Sequence, residues 1–379
     1  MDLEFTSHQD ELRDSVRSFL QKECPIELVR SVVETGQPAG ALWRSMVQLD
    51  WPALAVPEAY GGVGFGFVET AVVAEELGRA VAPGPLLATM SQFTPAVREL
   101  GSPEQRARFL GQVARGEITG TLALADHPRR WGMADVRARA ERDGDEWVLH
   151  GHKQGVVAAL DTDEVAVAAR TGVGPEEVGV FVVPGSEAGL GVVRSLDASR
   201  PLCTVRLDGA RLGDDRVLGE PGSADVARGL RRAVEEATVA MALETVGACD
   251  ELFHLVLAYV KDRKQFGVPV GSFQAIKHKM ADMFVALERA RALCYYAVAA
   301  IAEDAPERSV AAAMAKSASD DCQHMVCQES LQSFGGIGFT WEHDCHLYIK
   351  RAKSSAVLFG GAAWHTLSVA ADMGVMSTR

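Results

Sequence analysis

Two periods of apolar spacing alternate along the chain. Up to about residue 117 apolar positions recur three and four apart, as at Leu12, Val16 and Phe19, with Thr6 and Ser7 ahead of them as caps. Pro25 and Gly36 interrupt that pattern, so the segment reads as several short helices. Another helix is expected over about Val68 to Arg79, and Ser102-Pro103-Glu104 supplies a cap, a proline at the first helical position and an acid in the first turn. From about Ile118 the pattern becomes short runs bounded by turns: Thr119 to Ala125, Val136 to Glu141, Glu146 to His150, Glu164 to Arg170, Gly179 to Val183 and Leu202 to Leu207. Asp143-Gly144 signals a hairpin between two of them, and the set suggests a small barrel or sandwich ending near Leu218-Gly219-Glu220-Pro221-Gly222. Helical spacing then returns over about Ala227 to Lys261, Val310 to Ser333 and Cys345 to Leu358, and in the stripe Ile276, Met280, Met283, Leu287, Ala290, Cys294, Ala297 and Ile301, which reads as bundle core. The expected fold class is α+β multidomain: a helical domain over 1–117, a β-domain over 118–222 and a four-helix bundle over 223–379.

Composition narrows the class. The 379 residues are 47% apolar and 23% charged, ordinary for a soluble globular protein. With 51 acidic against 38 basic residues the formal charge is −13, a field that repels nucleic acid and anionic membrane, so neither is expected as a partner. Met1-Asp2-Leu3-Glu4-Phe5 has neither a basic nor an apolar leader, and a cytoplasmic location is expected. Seven cysteines without paired spacing fit a reducing compartment. Cys322, His324, Cys327, His343, Cys345 and His346 lack the C-x-x-C or H-x-x-x-H arrangement that presents ligands together, and no metal is expected there.

The chemistry concentrates between Arg263 and Gln274, reading Arg-Lys-Gln-Phe-Gly-Val-Pro-Val-Gly-Ser-Phe-Gln. A helix arriving at Lys264 is expected to stop at Gly267, with Pro269 barring its resumption. A fixed corner of this kind offers an Arg to phosphate oxygens, an amide to a hydrogen-bonding edge and an aromatic face to a flat ring, the needs of a dinucleotide.

The pattern R-x-Q-F-G-x-P followed by F-Q-A-I-K-H-K-M-A-D-M resembles the flavin-contacting corner of the acyl-CoA dehydrogenase family. Pro57-Glu58-Ala59-Tyr60-Gly61-Gly62, Glu75-Glu76-Leu77-Gly78 and Gln332-Ser333-Phe334-Gly335-Gly336-Ile337-Gly338-Phe339 are similar to further motifs of that family, in its order, and the resemblance covers essentially the whole chain. It implies α,β-dehydrogenation of an acyl thioester such as an acyl-CoA, in lipid metabolism, by an oligomeric flavoprotein. FAD is the implied cofactor and an electron-transfer flavoprotein the kind of acceptor. It further implies that each flavin is shared. One subunit's β-domain holds the ring, while Arg263, Gln265, Phe266, Phe273, Gln274, Gln332, Gly335 and Gly336 match the residues that reach to a neighbour's adenosine diphosphate.

The half that serves the chain's own ring departs from the pattern. The family's T-E-P-x-x-G-S-D reads Ala125-Asp126-His127-Pro128-Arg129-Arg130-Trp131-Gly132, and its W-I-T reads Gly155-Val156-Val157. Each lost hydrogen bond costs on the order of 1 kcal/mol. The general base is missing too, because Phe359 stands where the family's late glutamate would be. The alternative base position on the preceding helix is Ala237. Glu236 points about 100° away around that helix, and Glu244 lies roughly 10 Å along it. Both remain weak candidates. Three expectations follow: an accessory subunit paired with a homologous, base-bearing chain, a complete homo-oligomeric dehydrogenase with a relocated Glu, or a catalytically silent binding relative. For the first, Gly336-Ile337-Gly338-Phe339-Thr340-Trp341-Glu342-His343-Asp344 resembles the late motif of the heteromeric, actinobacterial-type steroid side-chain dehydrogenases.

Overall fold

The computed structural model describes residues 5–157 and 162–375. The N-terminal helices are α1 (Ser7–Glu23), α2 (Ile26–Thr35), α3 (Gly40–Gln48), α4 (Phe67–Arg79), α5 (Leu86–Ala88), α6 (Thr94–Leu100) and α7 (Pro103–Ala114), with a π-helical turn at Thr89–Phe93 between α5 and α6. Of the anticipated caps Thr6 and Ser102 form, while Ser7 is the first residue of α1. Thr6 and Gln9 close a capping box on α1, and Ser102 and Gln105 do so on α7, each satisfying two otherwise orphaned amides.

Eight strands follow: β1 (Gly120–Ala123), β2 (Arg139–Asp143), β3 (Glu146–Val157), β4 (Glu164–Arg170), β5 (Val178–Pro184), β6 (Gly191–Val193), β7 (Leu202–Gly213) and β8 (Val217–Leu218). They form one sheet in the order β6-β7-β3-β2-β4-β5-β8, with β1 parallel to β4. The hairpin between β2 and β3 closes on the pair Asp143 and Glu146 around Gly144 at φ +63°. The six anticipated strands are present; β6 and β8, three and two residues long, carry too little alternation to be read from sequence. The inner face packs Leu149, Val165, Val167, Phe181, Val205 and Leu207 into one apolar core.

The C-terminal helices are α8 (Ala224–Asp262), α9 (Gln274–Ala302), α10 (Arg308–Phe334), α11 (Cys345–Val357) and α12 (Ala362–Asp372). Of the expected core stripe on α9, every residue but Ile276 is buried. α12 is additional to the four helices the periodicity gave.

By compactness the chain divides in two, a cut distinct from that by secondary-structure content. One unit comprises the residues up to Glu34, Ala71–Ala82 and those from Thr238 on; the other comprises Thr35–Thr70 and Pro83–Ala237. In the first unit α4 meets α8 at Gly78 and Gly247. A Cβ on Gly78 would sit 2.1 Å from the Glu244 carbonyl oxygen, and one on Gly247 would sit 1.9 Å from that of Glu75. Acidic Glu75 and Glu76 clamp the crossing: Arg17 forks onto Glu76 at 2.7 and 2.9 Å, Arg291 reaches Glu75 at 2.9 Å, and the Tyr295 hydroxyl donates to Glu75 at 2.6 Å. The Glu75-Glu76-Leu77-Gly78 motif is thus a helix-crossing device. Gly247→Ala is expected to cost about 1–3 kcal/mol, because backbone must move to admit the methyl, and a urea unfolding midpoint would read it. Among the described residues no helix is long and apolar enough to cross a membrane.

Candidate functional site

The corner at Arg263 is a β-hairpin. α8 ends at Asp262, two residues before Lys264, and Lys264–Gln265 (β9) pairs antiparallel with Val268–Pro269 (β10). The expected helix stop at Gly267 is therefore corrected: the left-handed conformation there serves a tight turn and not a helix cap. Phe266 at φ +54° and Gly267 at φ +81° are the two central residues, as a two-residue hairpin demands. The Val270 amide donates to the Arg263 carbonyl at 2.7 Å and closes the base, after which α9 begins at Gln274.

This construction puts Phe266 at the tip, 93% exposed, in a conformation that costs a non-glycine residue on the order of 1 kcal/mol. The ring of Phe273 lies edge-on to it at 6.2 Å. Among the described residues Arg263 has no carboxylate within ion-pairing range, and its side chain is exposed. Gln265 folds its amide onto the Lys264 carbonyl, and Gln274 meets His278 at 3.0 Å.

The second predicted group lies at the end of α10. Gln332 is exposed on its last turn, and Gly335 follows at φ +64°, ψ −141°, a region open essentially to glycine alone. Apart from their chain neighbours, no atom of the described residues lies within 4 Å of where a Cβ would stand on Gly335 or Gly336. Tyr259, one turn before Arg263, packs its ring 5.2 Å from Phe334, which sets the hairpin and the glycine turn at one end of these helices. Sequence reasoning gave no sign of what orders the following loop. The Arg30 guanidinium donates to Asp344 at 2.5 Å and to the carbonyls of Trp341 and Glu342 at 3.0 Å, while Trp341 stacks on His346 and receives the Lys350 ammonium 4.1 Å above its ring. The Cys345 amide donates to His343 Nδ1 at 3.1 Å, and the seven cysteines are buried.

In the other unit, Asp126 and Trp131 hold the loop after β1 shut. The Asp126 carboxylate accepts the amides of Arg137 and Ala138 at 2.9 and 3.0 Å and the Lys153 ammonium at 2.8 Å. Lys153 is fully buried; desolvation pulls its pKa down to about 8, with Asp126 working against the fall. The Trp131 indole is 6% exposed and donates to the Pro128 carbonyl of its own turn at 3.2 Å. Gly155 adopts φ +64° and brings no side chain.

Phe359 is buried, at φ +57°, between α11 and α12. His365 Nε2 bonds its carbonyl at 2.9 Å, and burial drives the His365 pKa down to about 4, with Lys316 adding to the fall. Lys316 donates to the Ala356 carbonyl at 2.7 Å and to Asp320 at 2.9 Å, and Asp320 accepts the Ala362 amide at 2.6 Å. The segment around Phe359 is thus pinned from both sides. Glu236 is paired with Arg98. Glu244 is 2% exposed and accepts from Arg351 at 3.0 Å and from the Ser355 hydroxyl at 2.7 Å.

Among solved structures, the ChsE4-ChsE5 complex from Mycobacterium tuberculosis superposes with a TM-score of 0.89 at 25% identity over the full length of both chains. A Tcur3481-Tcur3483 steroid ACAD superposes at 0.86 with 28% identity, covering 97% of this chain and 99% of that one. Residues 6–117 match the acyl-CoA dehydrogenase N-terminal domain and residues 228–374 its C-terminal domain. The chain belongs to the acyl-CoA dehydrogenase family, whose members are FAD-dependent oxidoreductases. It is 32% identical over 354 residues to the acyl-CoA dehydrogenase IpdE2 of Mycolicibacterium smegmatis, covering 92% of this chain and 93% of that protein.

Against that cofactor the two halves of the inventory differ. Exposed Arg263, Phe266 and the open glycine turn have the chemistry to meet phosphates and a flat ring. Trp131 closes the loop after β1 on itself and Gly155 brings no side chain, so neither position offers a hydroxyl to a flavin ring.

Proposed function

We propose that this chain is the accessory subunit of a hetero-oligomeric acyl-CoA dehydrogenase, in which a homologous, base-bearing chain holds the flavin ring and removes the α-proton of an acyl thioester. One observation carries the reading: an exposed Arg263 on a preformed hairpin, with no carboxylate partner among the described residues, coexists with a buried Phe359 where the base would stand. When bound, FAD supplies the acceptor for the β-hydrogen. Arg263, Gln265, Phe266, Phe273, Gln274, Gln332, Gly335 and Gly336 of this chain would hold its adenosine diphosphate from across the subunit boundary. The two similar complexes, ChsE4-ChsE5 with its two unlike chains and Tcur3481-Tcur3483 as a steroid ACAD, support unlike subunits and a bulky, steroid-like acyl group. The engagement of Glu236 by Arg98 and of Glu244 by Arg351 and Ser355 weighs against a relocated base, because a general base must reach the substrate proton.

The test is flavin per protomer. The chain purified alone is expected to be nearly colourless and inactive, and co-expression with a base-bearing homologue is expected to yield a yellow complex bleached by acyl-CoA. In that complex Arg263→Ala should weaken FAD binding about 10- to 100-fold, the worth of a charge-assisted phosphate contact. Full flavin stoichiometry and turnover from the lone chain would end the proposal.

A further inference from the structure

A cavity of about 190 Å³ lies beside Glu76, wholly within the first compact unit. Leu20 of α1, Ile26 of α2, Arg79 and Ala80 at the end of α4, Glu251 of α8 and Tyr348 of α11 line it. It is smaller than the roughly 300–1,000 Å³ of pockets that take drug-sized molecules, so it suits a ligand of a few heavy atoms.

The charges around it do not cancel. Ion pairs join Arg17, Arg79 and Arg291 to Glu75, Glu76, Asp250, Glu251 and Glu288, and His254 stands 3.7 Å from Asp250. Three guanidiniums thus serve five carboxylates, and even a protonated His254 leaves one negative charge over. The surplus falls on Glu251. Its one ion-pair partner among the described residues is Arg79 at 3.8 Å, and that guanidinium lies 3.3 Å from Glu76 and is nearer still to Asp250. Burial raises the Glu251 pKa against the pull of Arg79, as befits a carboxylate short of countercharge. A second group at the cavity wall is also unserved. Tyr348 is 7% exposed, and its hydroxyl has no hydrogen-bond partner among the described residues, although a buried phenol ordinarily finds one. Burial raises its pKa too, and the Glu251 charge adds to the rise, so hydroxyl and carboxylate feel each other across the cavity.

We propose that this cavity binds a small organic cation, a primary ammonium on a short alkyl chain, with Glu251 and Tyr348 as its polar contacts. The ammonium donates to the Glu251 carboxylate and to the Tyr348 oxygen, and the alkyl part lies on Leu20, Ile26 and Ala80. Such a ligand supplies the missing positive charge and brings donors to two unused acceptors. A carboxylate ligand would meet guanidiniums already engaged by Glu76 and Asp250 and would add to the surplus. The assignment stands apart from how a flavin is shared between subunits.

The experiment is a calorimetric titration of the full chain with butylammonium chloride at low salt, with butanol and butyrate as probes of the same chain length. Saturable uptake of about one butylammonium per chain is expected, with butanol at least about tenfold weaker and butyrate not bound. Glu251→Gln keeps the shape and removes the charge, and should weaken binding about tenfold or more; Tyr348→Phe keeps the ring and should weaken it about threefold. Circular dichroism shows whether each variant is folded, and should one fail to fold, the discrimination of the wild-type chain among the three probes still decides. Absence of saturable butylammonium binding at millimolar concentration overturns the proposal. Equal binding of butanol would reduce the cavity to an apolar recess, and displacement of butylammonium by an equal concentration of Na⁺ or K⁺ would make it an alkali-cation site. Undiminished binding by folded Glu251→Gln would place the cation elsewhere, and each of these three results overturns the proposal as well.

Discussion

Replacing Arg351 with methionine is expected to cost about 3–5 kcal/mol of stability, the largest loss from any single side chain discussed above. Arg351 is fully buried on α11. Its guanidinium donates to Glu244 at 3.0 Å and to the carbonyls of Ala82 and Val81 at 3.1 and 3.2 Å. Val81 adopts φ +42°, a conformation a β-branched residue enters only when its surroundings impose it. Removing the guanidinium takes the buried countercharge from the Glu244 carboxylate and one donor from each of the two carbonyls. Urea unfolding followed by circular dichroism would measure the loss. Pairing Arg351→Met with Glu244→Leu should recover much of it, since neither charge is then left uncompensated. An unchanged midpoint for Arg351→Met alone would contradict the role given to this network.

Acid is expected to loosen the segment around Phe359. The folded-state pKa of His365 lies near 4, below the ordinary value near 6.5, so the folded protein binds the proton less readily than the unfolded chain does. The stabilisation is complete above pH 6.5 and is lost as pH falls through 6.5 toward 4, up to about 3 kcal/mol. Groups facing the ring include Lys316, whose charge adds to the penalty, and the Phe359 carbonyl, whose hydrogen bond opposes it. Amide exchange over residues 356–365 measured between pH 7 and pH 4.5 should rise ahead of global unfolding. His365→Gln, which keeps a donor for the carbonyl and cannot titrate in this range, should flatten the dependence.

Much of the architecture was legible because it is local. Caps at Thr6 and Ser102, the turn at Gly144 and the stripe from Met280 to Ile301 each declare themselves within a few residues, and each is present in the fold. The Arg263 corner was legible in position and not in shape. Gly267 followed by Pro269 is compatible with a helix stop and with a hairpin, and the choice depends on the Val270 amide finding the Arg263 carbonyl. What could not be read is long-range. Arg30 and Asp344 are 314 residues apart in sequence, and Arg351 and Val81 are 270 apart. Glu244 illustrates the limit most sharply: on a helix diagram it is a carboxylate near a site, and only its contacts with Arg351 and Ser355 reveal a structural ion pair.

The hairpin tip has one more consequence. Because Phe266 is already fixed in its unusual backbone state by β9 and β10, no loop has to condense when a counterpart arrives, and the entropy of ordering these residues is absent from the encounter. Assembly should then resemble rigid-body collision, with a rate set by diffusion and charge rather than by local folding.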